Sequence, residues 1–251
     1  MKILKNALLC FAMLCFTLAF SQDNPPKMFV VHQDHVTFDK MGQYEEAAKQ
    51  LKEACDTHNI EGMNWNALAT EDGRYLYVTE IENMAQLDDN SPWKNLSDAM
   101  GADKFSSMMD KMDECYTHHN DHIVYHAAGL SYWPEGYSVK DKNFRELHFL
   151  YYKPNKSKDL YESLKGVKKM FEDKGSKMGY NVYRSGFGSP ENYYVVVISG
   201  EDKLDVLQRG KANDDVLGDD RKAVFYNMIK NVGRYQGVDA DYRPDLSRPK
   251  S

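Results

Sequence analysis

Apolar and polar positions run through the same succession of patterns twice, once over roughly residues 28–135 and again over roughly 144–245. In the first stretch, 29–32 is an apolar run that opens a strand. Tyr44, Ala47, Ala48, Leu51, Ala54 and Cys55 then recur at helical spacing, so a helix is expected over 43–58, broken by Asn59 to Gly62. Residues 63–68 read as a second strand. Asp72-Gly73 supplies a hairpin turn, and 75–81 returns as the third strand. A helical region follows from 84 to about 116, interrupted near Ser91-Pro92 and at Gly101. A fourth strand is expected over 123–127, after a polar loop that includes His118, His119 and His122.

The second stretch repeats this order. Strands are expected over 147–152, 178–183, 193–198 and 233–240. Leu160, Leu164, Val167, Met170 and Phe171 mark a helix over 158–174 that Gly175 stops. Shorter helices are expected over 203–208 and 221–230. Each stretch ends on a similar tag, Tyr132-Trp133-Pro134-Glu135 and Tyr242-Arg243-Pro244-Asp245. Strand-helix-strand-strand-helix-strand is the order of a ferredoxin-like βαββαβ unit, with helices on one face of an antiparallel sheet. Residues 193–198 and 147–152 are apolar on both faces and need cover on both. The expected fold class is therefore α+β: two ferredoxin-like units, 22–136 and 137–251, packed sheet to sheet as an intrachain α/β barrel. No partner chain is needed to complete such a barrel.

The first 21 residues fall outside that scheme. Lys2 and Lys5 precede the apolar run from Ala7 to Phe20, which is short for a bilayer span, and Ala19 and Ser21 suit a cleavage site before Gln22. This predicts a signal peptide over 1–21, a secreted or periplasmic protein, and no stable membrane insertion once the leader is removed. The chain carries a net charge of −6, and cleavage makes it more acidic by removing Lys2 and Lys5. That balance argues against nucleic acid as a partner. Cys55 and Cys115 remain after cleavage, and both are expected as buried thiols near the ends of helices that run antiparallel.

The element order, the two-sided apolar strands and the tags after the last strands together resemble the dimeric α/β-barrel superfamily in tandem-fused form. That resemblance implies a fold shared by cofactor-free quinol monooxygenases, haem-degrading enzymes and chlorite dismutases, and such a fold supports many chemistries. Some of its monooxygenases carry Glu-x-Trp after the third strand and then a histidine. Here Glu80 matches the acidic position, Glu82 stands in place of the tryptophan, and Asp88 or Asp89 lies near the expected histidine.

Two sets of residues are candidates for chemistry. Every histidine except His148 lies in the first stretch. The topology brings the end of the first strand near the start of the fourth, so His35, His118, His119 and His122 form a candidate metal site. His32 and His126 are candidates for facing the space between the sheets, as haem ligands or as a general base. The aromatic set is Trp65, Tyr75, Tyr77, Tyr180, Tyr183 and Tyr193, with Asn64, Asn66 and Asn181 as polar contacts; such rings suit a flat, partly apolar ligand. The candidate ligand contacts are Trp65, Asn64, Asn66, Tyr77, Tyr180, His32 and His126. No residue pattern names a cofactor. Three readings remain open: an exported protein binding a small apolar or aromatic molecule between its sheets, a histidine-dependent metal or haem enzyme of oxygenase type, and a solid barrel acting as an interaction module.

Overall fold

A computed structural model describes residues 26–250; the expected leader lies outside them. Eight strands close into one antiparallel barrel in the order β1-β3-β2-β8-β5-β7-β6-β4. They are β1 Met28–Val36, β2 Asn66–Thr70, β3 Arg74–Ile81, β4 Tyr116–His126, β5 Phe144–Tyr151, β6 Asn181–Ser185, β7 Tyr193–Gly200 and β8 Arg234–Tyr242. The first four form one contiguous arc and the last four the other. The arcs are also joined at their edges, β2 on β8 and β4 on β6, so the two sheets share one hydrogen-bonded wall. Closure removes every exposed sheet edge.

Six α-helices cover the outside: α1 Met41–Thr57, α2 Ser91–Met100, α3 Ala102–Asp113, α4 Ser157–Lys174, α5 Lys203–Leu217 and α6 Asp220–Ile229. None of the described helices is long and apolar enough to cross a membrane. The wall thus has apolar neighbours on both sides. One buried cluster, around Leu160, Phe171 and Tyr194, lies under α4, and another, around Tyr44, Tyr75 and Leu96, lies under α1 and α2. A third, around Val31, Leu76, Leu147 and Val195, faces inward.

The two arcs follow one template. α1 and α4 occupy the same place after the first strand of each arc, and Gly175 at φ 64° ends α4 in the left-handed conformation expected of a C-terminal glycine. The matching tails, however, are not the two tags. Ser131 accepts a hydrogen bond from the Val182 N–H and donates to Ala127 O, while Ser247 accepts from the Ala67 N–H and donates to Arg243 O. Tyr132 then pairs with Tyr180 and Arg248 with Trp65 through reciprocal backbone bonds. Leu130-Ser131 therefore corresponds to Leu246-Ser247, and the tag match was out of step. Each tail clamps the second strand of the opposite arc, so the arcs are interlocked.

Other sequence expectations also shift. The histidine-rich segment is strand, not loop: β4 begins at Tyr116 and pairs with β1 from Val36 to Met28. Its polar residues meet polar partners, Gln33 opposite Asn120 and His32 opposite Asp121, which an apolar-run criterion does not detect. α5 extends to Leu217 because Gly218, at φ 70°, is its first break.

Candidate functional site

Strand alternation sends every second side chain into the barrel. On β1 these are Phe29, Val31, Gln33 and His35; on β3, Arg74, Leu76 and Val78; on β5, Arg145, Leu147, Phe149 and Tyr151; on β7, Tyr193, Val195 and Val197. They do not fill the interior. A cavity of about 910 Å³ remains, belted at mid-height by Val31, Leu68, Leu76, Val124, Leu147 and Val195. Polar groups stand at its two ends.

One end lies where β1 and β5 finish. Gln33 Nε2 donates to Asn120 Oδ1 at 3.1 Å and lies 2.6 Å from His35 Nε2. Asn120 Nδ2 lies 3.3 Å from His122 Nδ1, and His122 Nε2 lies 2.8 Å from the Tyr193 hydroxyl. An amide NH2 only donates, so His122 Nδ1 is the acceptor and its Nε2–H donates to Tyr193. The Tyr193 hydroxyl proton is left for the lumen. Burial lowers the His122 pKa and raises that of Tyr193, so both stay neutral. Arg74 is spoken for: its Nε and Nη2 each lie 2.8 Å from the Asp72 carboxylate. The 186–192 connection folds over this end, and Gly188, at φ 83°, comes so close that a Cβ there would stand 2.7 Å from Asp121 O.

The other end lies where β1 and β5 begin. Arg145 enters the lumen beside Asn66, Asn143, Tyr183 and Tyr242. Its Nη1 donates to the carbonyls of Lys142 and Phe144, and its guanidinium lies 5.7 Å from the Tyr242 ring centre. Burial pulls its pKa below the ordinary value, only partly offset by the tyrosines Tyr137, Tyr183 and Tyr242.

Of the seven expected ligand contacts, only Asn66 lines the lumen. Tyr77 and His32 lie on the opposite parity of β3 and β1, and Tyr180 and Trp65 pack on the helix side. Trp65 Nε1 donates to Leu246 O at 2.7 Å, and the Asn64 carbonyl accepts from Thr79. His126 stacks on Trp133 at 5.6 Å and touches the lumen only through Tyr183. A strand apolar on both faces carries no mark of which parity faces in, and one residue of slip exchanges the faces. The lumen residues missed are chiefly Arg145, Arg74, Gln33 and Asn120. An arginine at the start of β5, two residues before the apolar Leu147 and on the same face, was the available signal for Arg145.

The four candidate metal ligands do not converge. His35 and His118 stack at 3.9 Å, His122 points into the lumen, and His119 lies on the other face beside His32 and Tyr116. Among the described residues no three His, Cys, Asp or Glu side chains gather to hold a metal ion. A haem in the lumen is not matched either, because His122 Nε2 and His35 Nε2 are both engaged with protein partners. Cys55 and Cys115 are buried free thiols, and burial raises Cys55 to about 11. Glu80 is on the surface, 3.0 Å from Lys27 Nζ.

Outside the lumen, beneath α1, the first arc buries a second polar group. Tyr44 donates to Asp34 Oδ2 at 2.5 Å. His32 lies 3.1 Å from Asp34 Oδ1, off the angle of a hydrogen bond, and 2.9 Å from Asp121. The Asp34 Oδ1 and Tyr77 Oη atoms are buried without hydrogen-bond partners. Burial opposes charge on His32, yet the hydrogen bond to Asp121 and the negative charges of Asp34 and Asp121 close by outweigh it and raise its pKa to about 10. The lumen is not lined by Asp34, Tyr44, Tyr77 or His32.

No family model matches the chain, and no curated protein matches it. Solved structures do. An anthrone oxidase-like protein superposes with a TM-score of 0.58 at 9% identity, covering 88% of this chain and 92% of that one. A putative monooxygenase from Lactobacillus acidophilus NCFM gives 0.51 at 10% identity, over 86% and 94% of the two chains. The chlorite dismutase of Candidatus Nitrospira defluvii, in complex with imidazole, gives 0.51 at 7% identity, over 88% and 93%. The likeness is one of fold: the chain has the dimeric α/β-barrel fold, closed within one polypeptide.

Proposed function

We propose that this protein binds a small apolar molecule inside the barrel. The observation that carries the reading is the unfilled space of about 910 Å³ at the centre of a wall that is otherwise packed. Side chains around such a space lack dispersion partners on one side, and an apolar ligand supplies them. The rings of Phe29, Phe149, Tyr151, Tyr183 and Tyr193 suit a ligand that is flat or contains rings. Each arc with its helices is read as one ferredoxin-like unit, 22–136 and 137–251, and the strand order within each arc supports this. The setting is secreted or periplasmic, a reading that rests on the sequence of the first 21 residues.

The neutral fluorophore N-phenyl-1-naphthylamine tests the proposal. Titration into the purified protein is expected to give saturable, blue-shifted emission. Val195→Trp, which fills mid-lumen, is expected to weaken binding about tenfold or more, roughly the burial energy of one ring; Leu76→Phe is a milder filler. Absence of saturable binding, or equal binding by both filled variants, counts against a lumen site.

A second reading, an oxygenase-type enzyme, is favoured by one feature: the hydrogen-bonded series from His35 to Tyr193 ends in a hydroxyl with an unspent proton in an apolar space. Such a donor stabilises a developing oxyanion on a bound phenol or ketone. Similarity of fold to an anthrone oxidase-like protein and a putative monooxygenase is consistent with it. Oxygen uptake with anthrone, lost in Tyr193→Phe but with anthrone binding retained, is the expected signature. No uptake by the unaltered protein argues for binding alone.

A further inference from the structure

The two arginines of the lumen differ in one decisive respect. Arg74 spends its Nε and Nη2 on Asp72, so that end is electrically closed. Arg145 has no carboxylate within ion-pair distance among the described residues, and only its Nη1 is engaged, by two carbonyls. Its Nε and Nη2 make no hydrogen bond to the described residues and form the edge that pairs with both oxygens of a carboxylate or sulfonate. The groups beside it are Asn66, Asn143, Tyr183 and Tyr242, and the connection before β5 adds Lys140 and Asp141 to the lining, neither of whose side chains pairs with Arg145. A partly buried cation without a counter-charge is costly to keep, and the apolar belt begins directly above it at Val78, Leu147 and Val197.

We infer that the lumen ligand is an amphipathic monoanion, its carboxylate or sulfonate held by Arg145 and its apolar body lying along the belt toward Tyr193. This rests on the lumen-binding reading and adds the chemical class and the orientation. Protonated amines and neutral apolar molecules lack the group that Arg145 would recognise. The far end accepts a second, neutral oxygen at most, since its arginine is already paired and Tyr193 offers one hydroxyl.

A matched pair of probes separates the two claims. 1-Anilinonaphthalene-8-sulfonate is N-phenyl-1-naphthylamine with one sulfonate added. The anionic probe is expected to displace the neutral one from the unaltered protein. Arg145→Met is expected to weaken the anionic probe about tenfold or more, the usual worth of hydrogen bonds to a charged group, while the neutral probe stays within about twofold. Arg145→Lys, which keeps the charge but loses the fork, should fall between. Competition by dodecanoate, or instead by 1-naphthoate, then tells whether the apolar body is a chain or a ring system. Failure of the anionic probe to displace the neutral one from the unaltered protein overturns the inference without any variant. So does an Arg145→Met protein that binds both probes as before. If the neutral probe itself does not bind the unaltered protein, the lumen reading falls and takes this one with it.

Discussion

The same position is built twice in this molecule, with opposite chemistry. Under α1 the sheet presents Asp34, Tyr77 and His32, and the helix adds Tyr44. Under α4 the corresponding residues are Leu150, Val196, His148 and Leu160, and the pocket is apolar except at its edge. The helices compensate in volume: Ala48, Ala54 and Cys55 face the large aromatics of the first arc, whereas Leu164, Met170 and Phe171 fill the second. Inside the barrel the same division recurs. The first arc brings Gln33, His35, Arg74, Asn120 and His122 to one end, and the second brings Phe149, Tyr151 and Tyr193 to that same end. Beneath the helices and at this end of the barrel, one scaffold is thus divided between a polar arc and an apolar one. The fold needs the space beneath each covering helix to be occupied, and the two arcs do this by different means, the first leaving Asp34 Oδ1 and Tyr77 Oη without partners.

The sharpest way to break the comparison is to exchange the chemistry. Leu150→Asp puts a carboxylate where neither Leu160 nor Val196 can bond it, and about 4 kcal/mol of stability should be lost in urea unfolding. Asp34→Leu should cost about 3 kcal/mol, because the buried Tyr44 hydroxyl loses its acceptor and His32 loses a negative neighbour. Adding Tyr44→Phe and Tyr77→Phe to Asp34→Leu removes the stranded hydroxyls and should recover most of that loss. A triple variant no more stable than Asp34→Leu would show that volume, not polarity, governs this site.

The tails give the symmetrical control. Ser131→Ala and Ser247→Ala each remove the acceptor of a buried backbone N–H, so each should cost about 1–2 kcal/mol, and by similar amounts. A large cost at one and none at the other would mean that only one tail clamps its neighbour.

The smallest effect concerns pH. His32 is raised to about 10 in the folded protein, so its contribution is complete below the unfolded value near 6.5 and is lost as pH rises through about 10. Discounted for the exposure of its side chain, 38%, this amounts to about 1–2 kcal/mol. His32→Leu should flatten that part of the stability profile. An unchanged profile in His32→Leu would separate His32 from the alkaline loss.

The order of elements was legible because helix spacing and the Asp72-Gly73 turn are local signals. The closed barrel was legible in outline because strands such as 193–198 are apolar on both faces. Parity was not legible. Tyr75 and Tyr77 look like pocket residues, but they alternate with Leu76 and Val78, and only the latter pair faces inward. The strand character of 116–122 was hidden because its partners, Gln33 and His32, are polar and distant in sequence. Arg145 was overlooked for a related reason: a charge counts as surface until the strand that carries it is known to be walled on both sides.

The most direct measurement is a crystal structure of the protein soaked with N-phenyl-1-naphthylamine. The expected result is the probe enclosed between the two arcs, touching Leu76 from one and Phe149 and Val195 from the other. A probe lodged only beneath the outer helices, or an interior closed by its own side chains, would contradict a binding site within the barrel.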